Sequence, residues 1–187
     1  MPSRSIRSRV IPARRYPGVL AALVLAVAVT GFLARPAVAC IGYGAYQHWV
    51  TSLALPSLAL DVVCVGDLAY VANGAAGLQV IDVSAPESPR IIGQVALTGT
   101  AYDVVVRDNV AYVAAGSAGL KIVDVSDPTA PLVVGGVDIA SNVYQVELAG
   151  DVACLAAAGD GLVTVGIADP LDAKILGVAP AGPGPGW

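Results

Sequence analysis

One histidine, one methionine and one phenylalanine in 187 residues leave little of the usual equipment of catalysis. A catalytic histidine needs an orienting partner and, in most sites, a nucleophile. Nothing stands at such a spacing from His48, which reads as a solvent-facing strand residue. A zinc site is equally unsupported, because His48, Cys64 and Cys154 fall on unrelated positions of the pattern described below. Cations are scarce, ten in all, and six of them lie within the first 35 residues. No helical period runs through the chain after residue 40, and only one long uncharged apolar run occurs, from Val19 to Leu33.

That run follows Arg4, Arg7, Arg9, Arg14 and Arg15 and ends near Arg35 and the small residues Ala37-Val38-Ala39-Cys40. A basic segment, an apolar segment too short for a comfortable membrane span and a small-residue cleavage site make up a secretory signal peptide over residues 1–39. The ending AVAC also resembles a bacterial lipobox, apart from Ala37 where leucine is usual, so three outcomes stay open. Cys40 takes a lipid and attaches the chain to a membrane, cleavage after Ala39 releases it, or the apolar run is kept as an anchor. The pair Arg14-Arg15 is followed by YPGVL, which fits a twin-arginine signal poorly.

Removal of residues 1–39 leaves Arg90, Arg107, Lys121 and Lys174 against fourteen acidic residues, a net charge of −10. Such a chain has no basic surface for phosphates, and nucleic acid is excluded as a partner. Three cysteines are an odd number for an exported protein. If Cys40 is lipidated, Cys64 and Cys154 remain to pair, or both are small apolar strand residues, which is the simpler reading.

What the sequence has in abundance is itself. The stretch GLQVIDVSAPESPRIIGQ, from Gly77, returns as GLKIVDVSDPTAPLVVGG, from Gly119, and residues 59–100, 101–142 and 143–184 align at a shift of 42 without a gap. The first two copies agree at 19 positions and the last two at 12, too many for a shared composition. A period of this length marks solenoids or propellers. Within the second copy, DVVV and VAYVAAG flank Asp108-Asn109, a hairpin signal. LKIVDVS follows, then the stiff turn DPTAP, then LVVGGVDI. Each unit therefore predicts four strands. The runs are too continuously apolar for strands wetted on one face, and they call for sheets covered on both sides by copies of themselves.

Units of the form AYVA-G-x-GL-x-(I/V)-(V/I)-DVS-x-P-x-x-P resemble LVIVD repeats, over about residues 48–179. The resemblance implies a β-propeller of exported bacterial proteins and supplies no catalytic motif. The predicted fold is thus all-β: four-stranded antiparallel units stacked as propeller blades, three units plus one extra N-terminal strand. The layout is a linker over 40–47, an orphan last strand over 48–58, repeats over 59–100, 101–142 and 143–179, the last degenerate, and a Gly/Pro tail over 180–187. Three blades are too few for a ring. The composition change after Ala179 favours a truncated relic of a longer propeller. Completion of six blades by a homodimer and an open stack are the alternatives.

Few polar residues are left to carry chemistry. Asp82 and Asp124 recur within DVS and read as turn devices that accept backbone N–H groups, in preference to calcium ligands. Gly74, Gly77, Gly116 and Gly119 join two strands and so do not form a phosphate cradle, which leads into a helix. Asp61, Asp103 and Gln145 open the first strand of each unit and are the candidate ligand positions, at the inner rim of a propeller. The expected function is that of a non-enzymatic exported scaffold or interaction module with a protein or surface partner and no cofactor or metal. A ligand-binding or enzymatic propeller with its site at that rim, and a fragment without independent function, are the rivals.

Overall fold

Valine, isoleucine and tyrosine crowd their own backbone when helical and fit a pleated, covered surface. Runs of these residues, broken every five or six positions by glycine, proline or aspartate, give twelve strands. The computed structural model describes residues 51–182. The signal segment 1–39, the linker with Cys40, His48 and the tail beyond Gly182 lie outside the described residues. The strands are β1 (Asp61–Val65), β2 (Leu68–Ala72), β3 (Leu78–Asp82), β4 (Arg90–Val95), β5 (Asp103–Arg107), β6 (Val110–Ala114), β7 (Leu120–Asp124), β8 (Leu132–Val137), β9 (Val143–Ala149), β10 (Val152–Ala157), β11 (Gly161–Gly166) and β12 (Lys174–Ala179). They form three four-stranded antiparallel sheets, each a simple meander of four consecutive strands. Among the described residues the only helical element is a 3-10 turn at Pro170–Asp172.

The 42-residue shift carries over into local geometry. Asp108 and Asn109 both have positive φ, 50° and 63°, as a two-residue turn with the right twist requires, while Gly66 and Gly150 supply positive φ at the equivalent hairpins. Gly77, Gly119 and Gly161, with φ of 81°, 72° and 76°, open the third strand of each unit. A Cβ at any of them would collide with the carbonyl oxygen of Val95, Val137 or Ala179 on the fourth strand. Each fourth strand also carries a bulge at one repeat position. The register slips beside Val80, Ile122 and Thr164, so that Ile92, Val134 and Leu176 are the extra residues. The bulge turns Ile92 into the core between the first and second sheets and Val134 into the core between the second and third.

Those two cores carry the packing. Tyr70, Ala72, Leu78 and Val80 of the first sheet meet Val104, Ala111, Val113, Val123 and Val125 around the second. Tyr112, Ala114, Leu120 and Ile122 on the other face of the second sheet meet Val146, Ala153, Leu155, Val163, Val165 and Ile167. Leu78, Leu120, Ile122 and Leu155 are fully buried, and each such side chain contributes on the order of 1.5–3 kcal/mol relative to an exposed position. The second sheet is therefore covered on both faces, as its continuous apolar runs predict.

Residues 51–58, the described part of the expected orphan strand, join no ladder. A last strand needs a third strand beside it, and the preceding unit that would provide one is not among the described residues. Leu53 and Leu55 lie instead against Ala69, Val71 and Ile81 on the outward face of the first sheet.

Neighbouring sheets also approach closely at their fourth strands. A Cβ on Gly93 would collide with the Pro128 carbonyl oxygen of the next unit and lie 3.1 Å from Cδ of Pro131, and one on Gly135 would lie 2.6 Å from the Pro170 carbonyl oxygen. One on Gly177, at the same position of the third unit, meets only Oγ1 of Thr164, at 3.4 Å. Gly93→Ala is expected to lower stability by about 1–3 kcal/mol through overpacking, and Gly177→Ala to change it by no more than about 0.5 kcal/mol. Urea unfolding midpoints of the two variants check this, and equal losses would refute the close approach.

Candidate functional site

The first strands of successive sheets, β1, β5 and β9, run side by side. The first two share a pattern, an aspartate followed by apolar residues, that puts a short carboxylate at the head of β1 and β5, within reach of the backbone next door. Oδ2 of Asp61 accepts from the amide of Val104 at 3.1 Å. Oδ2 of Asp103 accepts from the amide of Val146 at 2.8 Å. Val104 and Val146 are the same repeat position one unit apart, so each aspartate fastens its own sheet to the backbone of the following one. The Val104 amide is shared, because Oδ1 of Asp103 also accepts from it, at 3.0 Å. Gln145, the third candidate, is exposed on β9. The structure thus brings Asp61 and Asp103 together over one amide hydrogen, while Gln145 continues the row without a part in that contact.

The crowding changes the titration of Asp103. Burial raises its pKa from the ordinary 3.8 to about 6; the Val146 amide opposes the rise, and the facing Asp61 carboxyl adds to it. The pair can hold a proton between two carboxyls, with the Val104 amide shared between them and the Val146 amide on the other oxygen of Asp103, and that is the chemistry this arrangement offers.

Away from this row, the recurring aspartates close turns. Oδ1 of Asp82 accepts from the amide of Ser84 at 2.9 Å and from its hydroxyl at 2.6 Å, and Arg90 donates to Oδ2 at 2.8 Å. These bonds, the serine hydroxyl foremost, lower the Asp82 pKa to about 2. Asp124 accepts from the Ser126 amide at 2.8 Å. In the third unit Gly166 replaces this aspartate, and Asp169 accepts from the Leu171 amide at 2.9 Å, as Asp127 does from Thr129. Cys64 in β1 and Cys154 in β10 stand in the first and third sheets with the second between them, and no disulfide joins the two. Among the described residues, no three His, Cys, Asp or Glu side chains are grouped to hold a metal ion.

Two features escaped the sequence reading. A notch of about 530 Å³ lies between Ala96, Leu97 and Thr98 after the first sheet and Lys121, Gly135, Gly136 and Asp138 of the second. Lys121 pairs there with Asp138 at 3.0 Å. Asn73 and Gln79 are buried in the first sheet, and the Asn73 amide is unpartnered. The repeat alignment did hold a signal for Lys121, which stands where the other units have Gln79 and Val163. Asn73 likewise occupies a position held elsewhere by Ala115 and Ala157.

Sheets of four meandering strands, stacked on one another and stitched at their first strands, define a propeller-like repeat protein. The LVIVD repeat model matches residues 58–96 and 98–139, and these two segments are LVIVD repeats. No curated protein matches the chain.

Asp103 generates a prediction about pH. Its folded pKa lies above the unfolded one, so the native state binds the proton more tightly. The resulting stability is fully present below about pH 4 and is lost as the pH rises through about 6. Allowing for partial exposure, the loss is about 1 kcal/mol. Asp82 works the other way, since its lowered pKa costs stability only as the pH falls from about 4 toward 2. Asp103→Asn, which can accept from Val146 and donate toward Asp61, is expected to flatten the dependence between pH 4 and 6. Urea midpoints across that range read it, and a slope equal to the wild type's would rule the buried pair out.

Proposed function

We propose that this protein is a non-enzymatic interaction module or surface scaffold, exported under the direction of residues 1–39. The observation that carries the reading is the use of Asp61 and Asp103. The two carboxylates best placed to bind a ligand at the rim accept backbone amides from the neighbouring sheet. Polar side chains elsewhere serve the turns, as Asp82, Asp124 and Asp127 do. An architecture whose polar groups hold sheets together, and whose loops present acidic side chains to water, suits binding through surface shape and charge better than chemistry in a pocket. The net charge of −10 after processing points toward a neutral or cationic protein surface as partner.

Export is supported by the arginines, the apolar run and the AVAC ending. Cys40 is where a lipid would attach the chain to a membrane.

Two experiments test the proposal. Residues 1–45 fused to a phosphatase that is active only outside the cytoplasm are expected to give an active reporter, and an inactive one would sink the export reading. Cys40→Ser in the full chain then separates the anchors: a shift from the membrane to the soluble fraction marks a lipid, a chain that stays in the membrane marks retention of the apolar run, and a chain that is soluble with or without the substitution marks ordinary cleavage. For the scaffold reading, a photo-crosslinking residue at Leu132 or Leu171, 63% and 73% exposed, is expected to capture a discrete polypeptide in the producing cell. Crosslinks to no protein at either position would count against it.

A further inference from the structure

The third repeat departs from the other two mostly on one side. Toward the second sheet the join is kept, apart from Pro131, whose place Ala173 takes. Val143 makes the paired backbone bonds with Gly116, at 3.0 and 3.1 Å, that Ala101 makes with Gly74 at 2.9 and 3.2 Å. Val146 offers its amide to Asp103, and Tyr144 meets Tyr102 edge-on with ring centroids 4.9 Å apart. Pro170 closes on Gly135 as Pro128 closes on Gly93. Val146, Ala153, Leu155, Val165 and Ile167 fill the places of Val104, Ala111, Val113, Val123 and Val125, all apolar and all buried.

On the opposite, forward face the same repeat has lost the join. Where the first two units place Val63 and Val105, the third has Glu147. Tyr70 and Tyr112 become Cys154, and Val80 and Ile122 become Thr164. The latch aspartates Asp61 and Asp103 become Gln145. The glycines of the backbone bridge, Gly74 and Gly116, whose φ of 51° and 55° few other residues adopt, become Ala158. Of what stays apolar, Leu162 is 46% and the bulge residue Leu176 60% exposed. Random drift would have struck both faces alike. Five replacements confined to one face, each removing a contact to a following sheet, follow a different rule, that of a terminal repeat whose outer side is adapted to water.

We infer that the forward face of the third sheet is a finished end, which water covers and which accepts neither a further sheet of this repeat nor a second copy of this chain. Closure of six blades by a homodimer is therefore not the assembly. The face rejects such a partner by chemistry: docking against apolar strands would bury the Glu147 carboxylate and leave the next sheet's first-strand amide without the carboxylate that receives it elsewhere.

The test is the molar mass of the full chain, in the form the producing cell retains, by light scattering during size exclusion. A single-chain mass that does not rise with concentration is expected. The triple variant Glu147→Val/Cys154→Tyr/Thr164→Ile, which restores the forward face of the inner repeats, is expected at least to double that mass. A discrete wild-type dimer would overturn the inference, and so would a triple variant that keeps wild-type circular dichroism and a single-chain mass. A measurement that needs no variant guards against misfolding: maleimide labelling of Cys154, resolved by peptide mass spectrometry. Labelling at a rate near that of the unfolded chain fits a face open to water, and strong protection that disappears on dilution means a copy covers it.

Discussion

A four-stranded sheet that is apolar on both faces cannot stand alone in water, and everything else in this protein follows from that constraint. The second sheet meets it completely, with Val113 and Val123 turned to one neighbour and Leu120 and Ile122 to the other. The first and third sheets each meet it on one side by the same packing. On their other sides the solutions differ: Leu53 and Leu55 lie over Ala69, Val71 and Ile81 at one end, and polar replacements appear at the other. Stability is thus a nearest-neighbour property, as in other linear repeats.

Apolar contact alone would let two such sheets slide, since valine packs on valine at many offsets. The polar and glycine positions remove that freedom. Asp61 and Asp103 fix the first strands through a backbone amide, Gly74 and Gly116 fix the loop beyond the second strands, and Gly93 and Gly135 admit the proline turn of the next unit. Repeated at a shift of 42, these contacts pin each sheet against the next at both its first and fourth strands. The same aspartates serve as registration devices, which is why the residues that looked most like ligand positions do not stand free.

Much of the fold was legible because the repeat was. The shift of 42, the hairpin at Asp108-Asn109, the third strand after Gly77 and Gly119 and the all-β class follow from local chemistry that a single sequence displays, and the two LVIVD segments agree with the match to that repeat. The candidate site was legible only as positions. Asp61 and Asp103 could be placed at the heads of their strands, but their partners, the amides of Val104 and Val146, lie 43 residues away, and no pattern in sequence spacing says that a carboxylate crosses between sheets. The third repeat was open to misreading for the same reason. Its substitutions look like loss of strictness along the chain, and only the division of positions between two faces shows that Val146 and Leu155 keep the rule while Glu147 and Cys154 abandon it. The strand expected over 48–58 failed at its described residues because pairing needs a neighbour as well as a suitable sequence.

The latch contact is also a statement about direction. A carboxylate reaches from the first sheet to the backbone of the second and from the second to that of the third, and among the described residues none reaches back, so the stack has a giving and a receiving end, as a head-to-tail polymer has. A duplicated unit inserted between the second and third repeats would find a receiving face before it and a giving face after it. The same unit joined beyond the third would meet Gln145, Glu147 and Ala158 where the inner joins have aspartate, valine and glycine. Growth of such an array by duplication is therefore permitted from within and blocked at that end.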